Sequence, residues 1–200
     1  MAPNSFLNRR SVLSALIATP FFAPFAVAAS NAQAETLVTK LVAEINRIIA
    51  SGKSESGMIR DFEIMFKQYA DVPAIARYAL GREYRNVSAS QLNTFTNKFS
   101  GYLARKYGKQ FRKFIGGQIE VNGSKPVNQY FEISTTARLQ GETPFEVLFL
   151  VSDKSGQLLF FNMYIEGINM LLSERTEIGA ILDKNRGDID AMITDLARAG

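Results

Sequence analysis

Serine beside lysine, paired carboxylates and glycine-rich loops are the arrangements left to do chemistry in this 200-residue chain, because it contains no histidine and no cysteine. Those absences remove the usual general base, the commonest metal ligand, thiol nucleophiles, thiolate metal sites and disulfides. Lysine can replace histidine as the base for a serine nucleophile, yet none of Ser100, Ser134, Ser152 and Ser155 has the S-x-x-K spacing. Asp61 and Glu63 flank Phe62 on opposite sides of a helical segment, and Asp183, Asp188 and Asp190 fall where caps and solvated helix ends are expected. Neither G-x-G-x-x-G nor G-x-x-x-x-G-K occurs. The pattern argues against an enzyme and turns attention to binding.

Two stretches carry that question. In the first, Lys98, Arg105, Lys106, Lys109, Arg112 and Lys113 interleave with Tyr102, Tyr107, Phe111 and Phe114, with no acid among them. One reading is a solvated basic face opposite a buried aromatic one. The other is a patch for anionic lipid headgroups or an acidic partner, with Lys106, Lys109 and Arg112 in contact. In the second stretch, Phe145, Val147, Phe149 and Val151 share one face of a strand while Leu148 and Leu150 make the opposite face apolar too, and the run from Leu158 to Ile165 repeats this, broken mainly by Asn162. A sheet in a small protein needs one buried face. The second must be covered by more protein or by an apolar ligand.

The surrounding elements follow from periodicity. Leu37, Leu41, Val42, Ile45, Ile48 and Ile49 recur at helical spacing between Glu35 and Ala50, and Met58, Phe62, Met65 and Phe66 do so between Glu55 and Tyr69. Asp71 ahead of Pro73 starts a short helix that Leu80-Gly81 stops. Ser88 and Gln91 form an S-x-x-Q capping box for a long helix through Phe95, Phe99 and Leu103, ending at Gly116-Gly117. Alternation from Ile119 to Val121 and from Phe131 to Leu139 predicts two half-buried strands, with a turn at Asn122-Gly123. With the two apolar runs these give an antiparallel meander of about four strands. Glu166 is read as the cap of a helix beginning at Ile168, and a last helix starts near Asp188.

Arg9 and Arg10 before the apolar run from Val12 to Val27 make residues 1–34 an export leader, cut after Ala34 or at the earlier Ala26-Val27-Ala28 pattern. Asn8-Arg9-Arg10-Ser11-Val12-Leu13 looks like a twin-arginine signal, the general secretory route being the alternative. The run is too short and too proline-broken for an anchor, and no later stretch could span a bilayer. Removing the leader takes two arginines and no acid, leaving a formal net charge of +2 on residues 35–200, one domain that does not call for nucleic acid.

Tyr78-Ala79-Leu80-Gly81-Arg82-Glu83-Tyr84, then Ser88 to Gln91, Phe95, Phe99, Leu103 and Tyr107, then Ile165-Glu166-Gly167-Ile168 followed by Arg175, resemble the MlaC family, the toluene-tolerance proteins. The resemblance spans essentially all of residues 35–200. It departs from the family pattern where a Trp-Lys pair often begins the last strand and an Asp often precedes the Glu-Gly junction; Leu158, Leu159 and Asn162 stand there. It implies an α+β fold in which a twisted antiparallel sheet and several helices enclose an apolar cavity for acyl chains. It also implies a periplasmic phospholipid carrier, monomeric, with phospholipid as cargo and no cofactor or metal. Such a carrier would shuttle lipid between an inner-membrane ABC-transporter complex with an MCE-type subunit and an outer-membrane lipoprotein complex, maintaining outer-membrane lipid asymmetry. The expected cavity lining is Phe99, Leu103, Tyr107, Phe111, Val147, Phe149, Val151, Phe161, Met163, Ile165, Ile168 and Leu172. Two other readings stay open: an envelope interaction module docking an acidic partner on the basic face, and an envelope enzyme on an NTF2-like sheet.

Overall fold

In the computed structural model residues 29–200 are described, apart from the side chains of Phe111 and Arg112; the expected leader lies outside the described residues as far as residue 28. Six helices and five strands follow one another as α1 (Asn31–Ile49), α2 (Glu55–Tyr69), α3 (Val72–Leu80), α4 (Ala89–Gly108), β1 (Gln118–Val127), β2 (Tyr130–Arg138), β3 (Phe145–Ser152), β4 (Leu159–Ile165), β5 (Ile168–Asn169), α5 (Met170–Lys184) and α6 (Ile189–Leu196). The strands pair antiparallel in chain order, so the sheet is an open meander. This is the α+β fold expected, with five strands in place of about four. Among the described residues no helix is long and apolar enough to cross a membrane.

Helices cover one face of the sheet. The helix α1 lies along β1 because Asn46 makes a two-way bond with the Ile119 backbone, donating to its carbonyl at 3.0 Å and accepting from its N–H at 3.0 Å. At its other end Asn31 donates to Ser124 Oγ at 2.8 Å, and Ser124 donates to Glu35. Behind α1, α2 packs on α4, and α3 packs on α5. The link between α2 and α3 is tied to the sheet where β4 bulges, since the Asp71 N–H donates to the Phe160 carbonyl at 2.8 Å.

Several expectations shift in instructive ways. The Asn122-Gly123 turn is a bulge within β1, which runs on through Pro126; an edge strand tolerates that proline because its missing N–H faces no partner. The long helix stops at Gly108 and continues as a short 3-10 segment, Gln110–Phe114. Glu166 does not cap a helix. It has φ 50° and Gly167 φ 78°, the positive pair of a two-residue primed hairpin turn, which adds β5 and delays α5 by two residues. The cap is Asn169, whose side chain accepts from the Leu172 N–H. The outward face of β3 and β4 is only partly covered by protein. Leu148 is half-exposed there, and Leu150 is buried outside the main core, paired across strands with Glu132 and Asn162.

The start of α1 precedes Glu35. Ser30 and Gln33 form a reciprocal capping box, and Ala34 sits in the core with no exposure. A chain beginning at Glu35 loses the cap, the Asn31–Ser124 bond and Ala34 together, about 2 kcal/mol. We expect its Tm to lie about 4–8 °C below that of a chain beginning at Ala29; equal melting temperatures would show that this turn adds nothing.

Candidate functional site

The inward faces of the sheet and helices do not close completely. Between them lies an apolar cavity of about 80 Å³, walled by Leu41 and Ile45 of α1, Phe62, Met65 and Phe66 of α2, Tyr107 of α4, Gln110 and Phe114 of the 3-10 segment after it, and Ile119, Phe145, Val147, Phe149, Phe160, Met163 and Ile165 of the sheet. A second cavity of about 30 Å³ shares Phe66, Tyr107, Phe160 and Met163 with it and reaches the surface past half-buried Phe161, Met170 and Leu171. Close-packed interiors seldom keep such space. At about 24 cal/mol per Å³ the larger void alone costs roughly 2 kcal/mol. Rigid rings hold it open: Phe62 stacks on Phe66 at 6.0 Å, Phe66 meets the edge of Phe160 at 5.7 Å, and Phe160 meets Phe149 at 5.7 Å. A phenyl ring has few rotamers with which to fill a gap.

Of the residues expected to line a cavity, Leu103, Tyr107, Val147, Phe149, Phe161, Met163 and Ile165 do line one. Phe99 is packed in the core between Phe95 and Tyr102, and Val151 is fully buried outside both walls. Ile168 and Leu172 are 60% and 52% exposed, because the β4–β5 turn swings them to the outer surface. The side chain of Phe111 lies outside those described, as does that of Arg112. Sequence periodicity could not single out Leu41, Ile45, Met65 or Phe114, since a cavity wall and a core obey the same spacing.

Part of the basic run is paired within the fold, while Lys98, Lys109 and Lys113 are exposed. Arg105 donates to the Leu196 and Ala199 carbonyls at the end of α6, Lys109 donates to the Gly200 carbonyl, and Lys106 turns inward. Cations suit those carbonyls, which lack helical partners. Lys106 Nζ sits 2.9 Å from Glu174 Oε1 and 3.0 Å from Tyr102 Oη, and the Tyr107 hydroxyl donates to the same Oε1 at 2.5 Å. Glu174 is only 3% exposed and forms part of the wall of the smaller cavity. Its signal in the sequence is an acid in the apolar stripe of α5, between Leu171 and Ile178. Asn162, in place of the family's Asp, is buried and structural: its Oδ1 accepts from the Leu171 and Met163 N–H groups, and its Nδ2 donates to Asn169.

This α+β chain matches the model of the MlaC protein family over residues 35–198. The chain belongs to the MlaC family. Its fold is similar to that of a phospholipid-binding protein from Ralstonia solanacearum solved in complex with a phospholipid, with a TM-score of 0.70 at 15% identity over 82% of this chain and 95% of that one. No curated protein matches the chain in sequence. Three residues on which the sequence resemblance rests meet in space here: Arg175 lies over the Tyr78 ring at 5.3 Å, and its Nε would come within 3.1 Å of a Cβ at position 81, where Gly81 has φ 61°. Among the described residues no cluster of three acids could hold a metal ion.

Burial, with the neighbouring Glu174 charge, pushes Tyr107 far above an ordinary phenol, and burial pushes Tyr102 up to about 12. Burial opposes the Lys106 charge, but its bonds to Glu174 and Tyr102 prevail and raise its pKa. All three groups keep protons in the folded state that the unfolded chain releases above about pH 10. Stability from this cluster is therefore full below that pH and falls as pH rises toward 12. Lys106→Met, which strands a buried carboxylate, should cost about 3 kcal/mol at neutral pH and flatten the alkaline slope, both read by denaturant titration. An unchanged midpoint would remove the cluster from the stability account.

Proposed function

We propose that this MlaC-family protein is a periplasmic phospholipid carrier that holds acyl chains between its helices and the inward face of its sheet. The observation that carries the reading is the apolar cavity propped open by phenyl rings, at the place where close packing would otherwise stabilise the fold. The phospholipid complex of the similarly folded Ralstonia solanacearum protein supports the same cargo. Binding and release need no chemistry on the lipid, which suits a chain without histidine or cysteine. An apolar cavity of roughly 150 Å³ accommodates a single benzene. A long acyl chain needs more than the 80 Å³ present, so the helices must part from the sheet as lipid enters.

In this reading the protein is exported by its leader, with the cut after Ala28, because a cut after Ala34 would remove the Ser30–Gln33 cap of α1. It then acts as a monomer between an inner-membrane ABC-transporter complex with an MCE-type subunit and an outer-membrane lipoprotein complex, keeping the outer membrane's lipids asymmetric. The exposed Ile168 and Leu172 flank the cavity-lining Met170 and Leu171 in sequence, so an apolar lip lies beside the place where lipid would pass.

Filling the cavity separates storage from simple packing. Val147→Phe should leave stability unchanged or raised, as cavity filling commonly does, while native mass spectrometry of gently purified protein shows phospholipid on the wild type and at least tenfold less on the variant. Wild-type protein that carries no phospholipid and takes none from vesicles contradicts the proposal.

A further inference from the structure

Glu174 leaves one atom unaccounted for. Both donors in reach, Lys106 Nζ and the Tyr107 hydroxyl, converge on Oε1, whereas Oε2 is buried and has no hydrogen-bond partner among the described residues. Oε1 takes the Lys106 ammonium at 2.9 Å, a charge-assisted contact. A buried carboxylate oxygen without a donor is costly, and such a cost persists where a ligand relieves it. Of the other residues lining this end of the cavity, Phe66, Ile75, Leu103 and Phe160 carry no side-chain donor, and Asn162 gives one of its amide N–H groups to Asn169.

We infer that Glu174 Oε2 is a recognition point for a hydrogen-bond donor on the lipid, so that the cavity selects phospholipids whose headgroup bears an N–H or O–H. The acyl chains would run past Tyr107, one of the four residues common to both cavities, and leave the polar part of the lipid at the smaller one, beside Glu174. A phosphate or free fatty-acid carboxylate facing Oε2 is repelled, while an ethanolamine ammonium or a glycerol hydroxyl is welcomed. A choline headgroup has the same charge as ethanolamine but no donor. The inference rests on the phospholipid-carrier reading and adds selectivity to it.

The test uses wild-type protein and vesicles of identical acyl composition. One series offers phosphatidylethanolamine, its monomethyl and dimethyl derivatives and phosphatidylcholine in equal amounts, and a second offers phosphatidylglycerol against phosphatidylcholine. Lipid recovered on the protein is counted by mass spectrometry. The expected result is enrichment over choline of about fivefold, the scale of one net hydrogen bond, with the loss falling at the last methylation, where the final N–H disappears. Enrichment in the first series assigns an ammonium donor, and in the second a hydroxyl. Glu174→Gln can keep its carbonyl toward Lys106 and Tyr107 and present an N–H to the cavity, so it should abolish or invert the preference. Equal recovery of all headgroups by the wild type, or a preference unchanged in Glu174→Gln, overturns the assignment while leaving the carrier reading intact. Recovery of no lipid at all overturns both.

Discussion

The fold depends on a mismatch between a sheet and the aromatic side chains that face it. Phe62 and Phe66 from α2 meet Phe160 and Phe149 from the sheet ring to ring, and these contacts set how closely α2 can approach. Aliphatic side chains could repack to close the interval, as Met does readily; phenyl rings in edge-to-face contact cannot. The bulge in β4 reinforces the spacing. It holds Phe160 at the cavity while its carbonyl accepts from Asp71, so the α2–α3 junction is fastened to the strand that carries the ring. The cavity is thus built into the backbone pairing and is not a packing defect.

One charged group sits against this apolar interior. Glu174 joins α5 to α4 through Lys106 and Tyr107, next to the second void, and its ion pair is shielded from water on all but the lysine side. A buried pair of this kind contributes little net stability beside an apolar replacement. Its persistence points to placement: it fixes α5, whose first turn forms the lip between cavity and surface, and it sets a polar atom where an apolar wall would suffice.

Much of the architecture was legible from local rules. The Ser88–Gln91 capping box, the amphipathic stripes of α1 and α2 and the apolar alternation of β3 are all where the sequence places them, because each is decided by neighbours a few residues apart. What local rules miss is long-range. Glu166 looks like a cap until the hairpin turn at Glu166-Gly167 inserts β5, and Ile168 and Leu172 look like lining until that strand rotates them outward. Lys106 and Arg105 look like a free basic face, but their partners on α5 and near the C-terminal end of α6 lie about seventy and ninety residues away. The doubly apolar β3–β4 pair led to a cavity, though on the other face from the one that needed covering.

The central claim is that acyl chains occupy the space between α1, α2 and the inward face of the sheet. Methyl NMR with a phospholipid carrying a nitroxide midway along its acyl chain tests it directly. The account predicts paramagnetic broadening of Met65, Met163, Ile45 and Val147 that is stronger than that of Leu148 on the outward face. Broadening confined to Leu148 or to the exposed Ile168 and Leu172, with the cavity methyls sharp, would contradict it.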